Sequence, residues 1–170
     1  MIILGIDPGT ATTGYGLIKI KNRKAKIKNN LKCLDYGLIT TSPSSTTPNR
    51  LKKINNELAK IISKYQPEVI AVENIYFFKN LKTAIPVSQA KGVILLTAAK
   101  KRISVEEFSP LQVKSVVTNN GWASKSDVQH KVKKLLKMKE IPKPDDAADA
   151  LGIAICGALK CSQQERCKKT

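Results

Sequence analysis

The chain has 170 residues, 42% hydrophobic and 25% charged, the balance of a soluble domain large enough to bury one core. Thirty Lys and Arg stand against 13 Asp and Glu, a net charge of +17, and such an excess points to a polyanion, nucleic acid first. No apolar run approaches the roughly 20 residues of a membrane span and no signal peptide precedes the first strand, so a cytoplasmic protein without a membrane partner is expected.

Residues 2–6 are apolar or Gly and suit a central strand that ends on Asp7. A Gly- and Thr-rich turn follows, and Tyr15–Ile20 reads as a second strand. Lys19–Lys32 holds seven basic residues in fourteen, and its near-alternation suggests a hairpin with one solvated cationic face. A third strand is expected around Cys33–Ile39, then a Ser/Thr/Pro-rich loop over Thr40–Arg50. Leu51, Ile54, Leu58, Ile61 and Ile62 have helical spacing up to Tyr65, and Gln66-Pro67 stops that helix. Glu68–Glu73 is a short core strand that also ends on a carboxylate. Leu81–Lys101 looks helical despite Pro86, Ile103–Phe108 looks like a strand, and Pro110 opens a helix to Val117. Asn119–Trp122 is a turn, Ser124 caps a helix expected to reach Lys139, and the last helix is expected from Asp146 to about Lys160. Three strands, then helices alternating with two more strands, predict a mixed α/β sheet with an antiparallel start, later parallel crossovers and helices on both faces. Residues 1–160 are expected as one domain, with a basic, flexible tail over 161–170.

The four cysteines form no framework. Cys33 stands alone, and Cys156, Cys161 and Cys167 lack the paired spacing of a zinc site. The only histidine, His130, lies on the solvated side of its helix, opposite Val128, Val132, Leu135 and Leu136. Triad hydrolases and zinc enzymes are disfavoured on these grounds.

The acids are more informative. A parallel right-handed crossover would make the first and fourth strands neighbours, and ligands in such sheets gather at the carboxyl ends of strands, so Asp7 and Glu73 could meet. Near the C-terminus Asp145, Asp146 and Asp149 open a helix; Asp146 and Asp149 are three apart and share a face. Each could instead cap its own element, and Asp145 or Asp146 could be a simple helix cap. Four carboxylates in one place would repel unless divalent cations neutralised them. All-oxygen ligands select Mg²⁺ or Mn²⁺, and a pair of such ions is an apparatus for phosphodiester cleavage.

The segments GIDPGTATTGYG, AVENIYFFKN, FSPLQVK, NNGWASKSDVQ and DDAADALGIAI occur in one order over about residues 2–158. In these segments the chain resembles the RuvC-type Holliday junction resolvases of the ribonuclease H-like superfamily. The resemblance implies a five-stranded ribonuclease H-like sheet and a metal-dependent endonuclease acting in recombination and DNA repair. It assigns both catalysis and metal binding to Asp7, Glu73, Asp146 and Asp149, with two Mg²⁺ per site and Mn²⁺ able to substitute. Asp145 departs from the pattern as an extra acid beside the expected one.

The same resemblance places DNA-binding groups. An aromatic that holds an unstacked base maps to Tyr76, with Phe77 as its rival, and basic positions map to Lys114 and Lys125, either as phosphate anchors or as help to the reacting phosphate. Trp122 departs from the small or polar residue expected in its loop; it either stacks on bases or covers a helix end. The implied partners are four-way junction DNA, a second copy of the chain in a two-fold homodimer, and a junction-binding and branch-migration helicase complex. Three rivals remain: a sugar kinase or chaperone-type ATPase, which would need a second phosphate loop; a relative acting on RNA or hybrid; and a non-catalytic basic DNA-binding module, which would not need the acids.

Overall fold

The computed structural model describes residues 1–22, 30–75 and 81–167, excepting the side chains of residues 81–83 and 163–167. Its five-stranded sheet comprises β1 (Ile2–Asp7), β2 (Thr12–Ile20), β3 (Leu31–Thr40), β4 (Val69–Glu73) and β5 (Ser104–Phe108). The spatial order is β3-β2-β1-β4-β5. β1, β2 and β3 are joined antiparallel, whereas β4 lies parallel to β1 and β5 parallel to β4. The central part of the expected cationic hairpin falls outside the described residues.

Among the described residues, five helices sandwich the sheet. Alternation along β1 sends Leu4 and Ile6 to one face, where they meet Ile54, Leu58 and Ile62 of α1 (Thr47–Tyr65) and Ala90, Ile94 and Ala98 of α2 (Leu81–Lys100). The opposite parity sends Ile3 to the second face with Val69 and Ala71 of β4. That face is covered by α3 (Pro110–Thr118), α4 (Lys125–Leu136) and α5 (Asp145–Cys167). Between Ala147 and Ala158, α5 is almost wholly buried, so it is the core helix of the molecule. None of the helices among the described residues is long and apolar enough to cross a membrane.

Several boundaries differ from the sequence reading, each for a local reason. α1 starts at Thr47, inside the expected loop, because Pro48 lies in its first turn and Thr46 takes the extended cap conformation; proline's fixed φ suits that position. α4 stops at Leu136, short of Lys139: the last buried leucines are reached there and Lys137 turns into the left-handed region at φ 53°. α5 continues past Lys160 to Cys167, through a stretch with neither Gly nor Pro to end it. α3 and α4 begin as expected, each with a reciprocal capping box, Ser109 with Gln112 and Ser124 with Asp127.

Candidate active site

Parity and register bring the first two acids together. β1 pairs β4 from Ile3–Val69 through Ile6–Val72, so the next step sets Asp7 beside Glu73. Both positions continue the series that faces α5. A side-chain hydrogen bond with Asp7 acts to lower the Glu73 pKa.

Asp146 and Asp149 arrive from above, and glycines let them do so. A Cβ on Gly5 would lie 2.1 Å from the Ala150 carbonyl oxygen, and one on Gly14 would lie 2.1 Å from the Asp146 carbonyl oxygen. The sheet under the start of α5 therefore carries no side chains, and the helix rests directly on the strand backbones. Short aspartates reach Asp7 only because of this closeness. One carboxylate oxygen each from Asp7, Asp146 and Asp149 lie within 4.8 Å of one another. Thr12 donates to the Asp146 Oδ2 at 2.8 Å and fixes its rotamer.

Asp145 points elsewhere. It is 63% exposed, accepts from the Gln129 amide at 3.0 Å and faces Lys125 at 3.3 Å. These partners hold its pKa below the usual carboxylate range. Of the two adjacent acids, Asp146 belongs to the cluster and Asp145 to the seam between α4 and α5.

The electrostatics are those of charges crowded out of water. Burial, followed by the charges of Glu73, Asp149 and Asp146, raises Asp7 from 3.8 to about 8. Burial and the nearby Asp149 raise Glu73 to about 7, against the hydrogen bond with Asp7. Burial also raises Asp149, opposed by Lys125, whose Nζ lies 3.1 Å from Asp149 Oδ2. For Lys125 itself burial would weaken the charge, but the hydrogen bonds and charges of Asp149 and Asp145 prevail and raise its pKa. It is an ammonium seated at the edge of the acids.

A groove of about 670 Å³ opens from Asp7 and Glu73, passes Ser109 and Leu111, and reaches Lys114 and Trp122. Lys114 is half-buried in this wall, Leu111 is 55% exposed and Trp122 is 89% exposed. An indole this exposed covers little of any helix end, which speaks against one of the two readings of Trp122. Tyr76, Phe77 and Phe78 lie outside the described residues. His130 is exposed, with its ring nitrogen on the Ser126 carbonyl within its own helix. Among the described residues, Cys33, Cys156 and Cys161 take part in no disulfide.

The other hydroxyls of the Gly- and Thr-rich stretch after Asp7 bind backbone carbonyls. Thr10 donates to the Pro86 carbonyl, Thr13 to that of Gly9, and Thr41 to that of Thr10, each at 2.6 Å. These bonds tie the turn to α2 and to the end of β3.

The sequence model of the family "Crossover junction endodeoxyribonuclease RuvC" matches residues 3–157. The chain belongs to that family. It is 49% identical to the crossover junction endodeoxyribonuclease RuvC of Caldicellulosiruptor saccharolyticus over 95% of each chain, and 49% identical to that of Finegoldia magna over 92% of each. Among solved structures, RuvC of Thermus thermophilus superposes with a TM-score of 0.89 at 30% identity, covering 96% of this chain and 97% of that one. The same TM-score and identity hold for T. thermophilus RuvC in complex with Holliday junction substrate, with 96% of each chain covered. The yeast mitochondrial resolvase Ydc2, at TM-score 0.63 and 19% identity over 98% of this chain and 85% of that one, shares the fold.

Sequence reasoning missed two supports of the site. One is Thr12, hidden in the run Thr10–Thr13. The other is Lys91 of α2, which donates to the Asn74 side chain at 2.6 Å and pairs with Glu107. Asn74 also donates its backbone N–H to Phe108 at 2.8 Å, so the residue after Glu73 is clamped from two sides.

Proposed function

We propose that the chain is a divalent-metal-dependent endonuclease that resolves four-way DNA junctions by paired symmetrical nicks, with Asp7, Glu73, Asp146 and Asp149 as its catalytic, metal-holding acids. The observation that carries this reading is the convergence of Asp7, Asp146 and Asp149, with Glu73 beside Asp7 at the mouth of a groove that Lys114 also lines, in a chain of net charge +17.

The donor set suits a hard cation. It is all carboxylate, and burial first, then mutual repulsion, pushes Asp7 up to about 8 and Glu73 up to about 7; oxygen-only sites of this kind prefer Mg²⁺, with Mn²⁺ as substitute. Bound by these residues, a pair of Mg²⁺ ions would supply Lewis acidity toward the phosphodiester and its attacking water. Thr12 keeps the Asp146 carboxylate oriented. Asp7 and Glu73 give up their protons as the site becomes competent. Lys125 keeps its positive charge beside Asp149 and offers it to charge that develops on the phosphate. Lys114 contributes a phosphate contact further along the groove, and Tyr76 or Phe77 a stacking contact. Hydrolysis of the P–O3′ bond leaves 5′-phosphate and 3′-hydroxyl ends.

Two symmetrical nicks call for two sites, hence a two-fold homodimer. The outer face of α2 supports one: Ile85 is 66% and Leu96 52% exposed on a shared stripe, and Gly92 between them has open space where a Cβ would stand. On this reading residues 1–160 form one nuclease domain that works in the cytoplasm alongside a junction-binding and branch-migration helicase complex.

The test is cleavage of a labelled four-way junction with Mg²⁺, compared with linear duplex and RNA–DNA hybrid. Paired nicks confined to the junction, lost in Asp7→Asn with junction binding kept, are expected. Cleavage of the hybrid alone would transfer the reading to a ribonuclease, and no cleavage with either metal would remove it.

A further inference from the structure

Resting on that reading, we infer that Trp122 is a stacking platform for a nucleobase of the strand that enters the groove, on the α3–α4 wall. The indole is 89% exposed, although an aromatic ring of this size ordinarily gains more from burial than almost any other side chain. Its exposure does not come from a loose loop. The Trp122 N–H donates to the Asn120 side chain at 3.0 Å, the Asn120 N–H to the Thr118 hydroxyl at 3.1 Å, and Thr118 back to the Asn120 carbonyl at 2.9 Å. Ala123, the next residue, is buried, and Ser124 begins the capping box of α4. The backbone on both sides is thus held, and it holds the ring outward.

The surroundings select the ligand. Trp122 lines the same groove as Asp7 and Glu73, with Leu111 and Lys114 on its own wall. Apolar surface next to an ammonium matches the two halves of a nucleotide, a flat ring and a phosphate. A protein partner would want apolar surface without the adjoining acids and Lys114, and the net charge of +17 also favours DNA. Stacking on an indole accepts any base, so this wall would grip the strand near the acids without reading its sequence.

The chain has one tryptophan, so tryptophan emission excited at the red edge, where its tyrosines do not absorb, reports on this position alone. Titration of the metal-free wild-type chain with a four-way junction is expected to quench that emission by about half or more, as ring stacking does. Trp122→Ala is expected to weaken junction binding about tenfold, equally for junctions of different sequence, and Trp122→Phe by only about two- to threefold. The salt dependence of binding should keep its slope in Trp122→Ala, because no phosphate contact is lost, whereas Lys114→Ala should lower the slope by about one. Unchanged emission at saturating junction, with Trp122→Ala binding and cutting like the parent, would overturn the inference and leave the indole to a protein partner. A wild-type chain that neither binds nor cuts the junction would instead remove the substrate reading, and this inference with it.

Discussion

On one face of the sheet Leu4, Ile6, Leu17, Ile70 and Val72 project large side chains onto α1 and α2; on the other, at the end nearest the acids, Gly5, Gly14, Gly16 and Ala71 project almost nothing. The first face is an ordinary apolar layer, in which volume can be redistributed among neighbours at modest cost. The second is a backbone-on-backbone contact in which α5 has no room to give. The difference follows from reach. An aspartate side chain is short, so a helix that must deliver two of them to a strand end has to lie flush on the sheet. Tight packing here serves the chemistry as well as the core.

That contrast can be broken in order of expected effect. Asp149→Asn, on the flush face, should lower junction cleavage by at least about 10³-fold while leaving binding within about threefold, as read by single-turnover cleavage and by gel shift; a loss of less than tenfold would remove Asp149 from the catalytic set. Gly5→Ala forces a methyl against the Ala150 carbonyl and should cost about 3 kcal/mol, a fall in Tm of about 6–12 °C. Its cleavage should fall further than its stability explains, because α5 carries Asp146 and Asp149.

A smaller effect has the opposite sign. Asp7 titrates near 8 in the fold against 3.8 ordinarily, so between about pH 4 and 8 the folded chain keeps a proton that the unfolded chain releases. Without metal, stability should therefore fall as pH rises through that window, with Glu73 adding to the fall up to about pH 7. Asp7→Asn should flatten the dependence and gain about 2 kcal/mol at pH 8 in EDTA, about 4–8 °C by calorimetry; an unchanged pH profile would contradict the crowding of the acids. The smallest effect belongs to the ordinary face, where Ile94→Val should cost about 1 kcal/mol and leave cleavage untouched.

Much of this was readable from residues alone, for reasons that differ by position. Asp7 and Glu73 were legible because a strand that ends on an acid keeps its parity, and the parallel crossover then makes the two neighbours. The choice between Asp145 and Asp146 was not, since both lie in the first turn of α5; it is decided by Lys125 and Gln129, which come from α4 and draw Asp145 aside. The glycines after Asp7 suggested a tight turn or a phosphate loop. Gly14 instead lies under a helix more than 130 residues further along the chain, a contact no local pattern encodes. For Trp122 the sequence left two readings open, stacking surface or cover of a helix end, because the exposure of a tryptophan in a turn depends on neighbours that no local pattern encodes.

The burial of α5 has a kinetic consequence. Its first five residues include Asp146 and Asp149, and the turns that follow are sealed between the sheet and α3 and α4. A helix anchored in this way cannot fray from its functional end without opening the centre of the protein, so the acids belong to the last unit to open. The amide protons of residues 150–158 should be among the slowest to exchange with solvent. The enzyme's working end would then be lost only when the whole molecule unfolds.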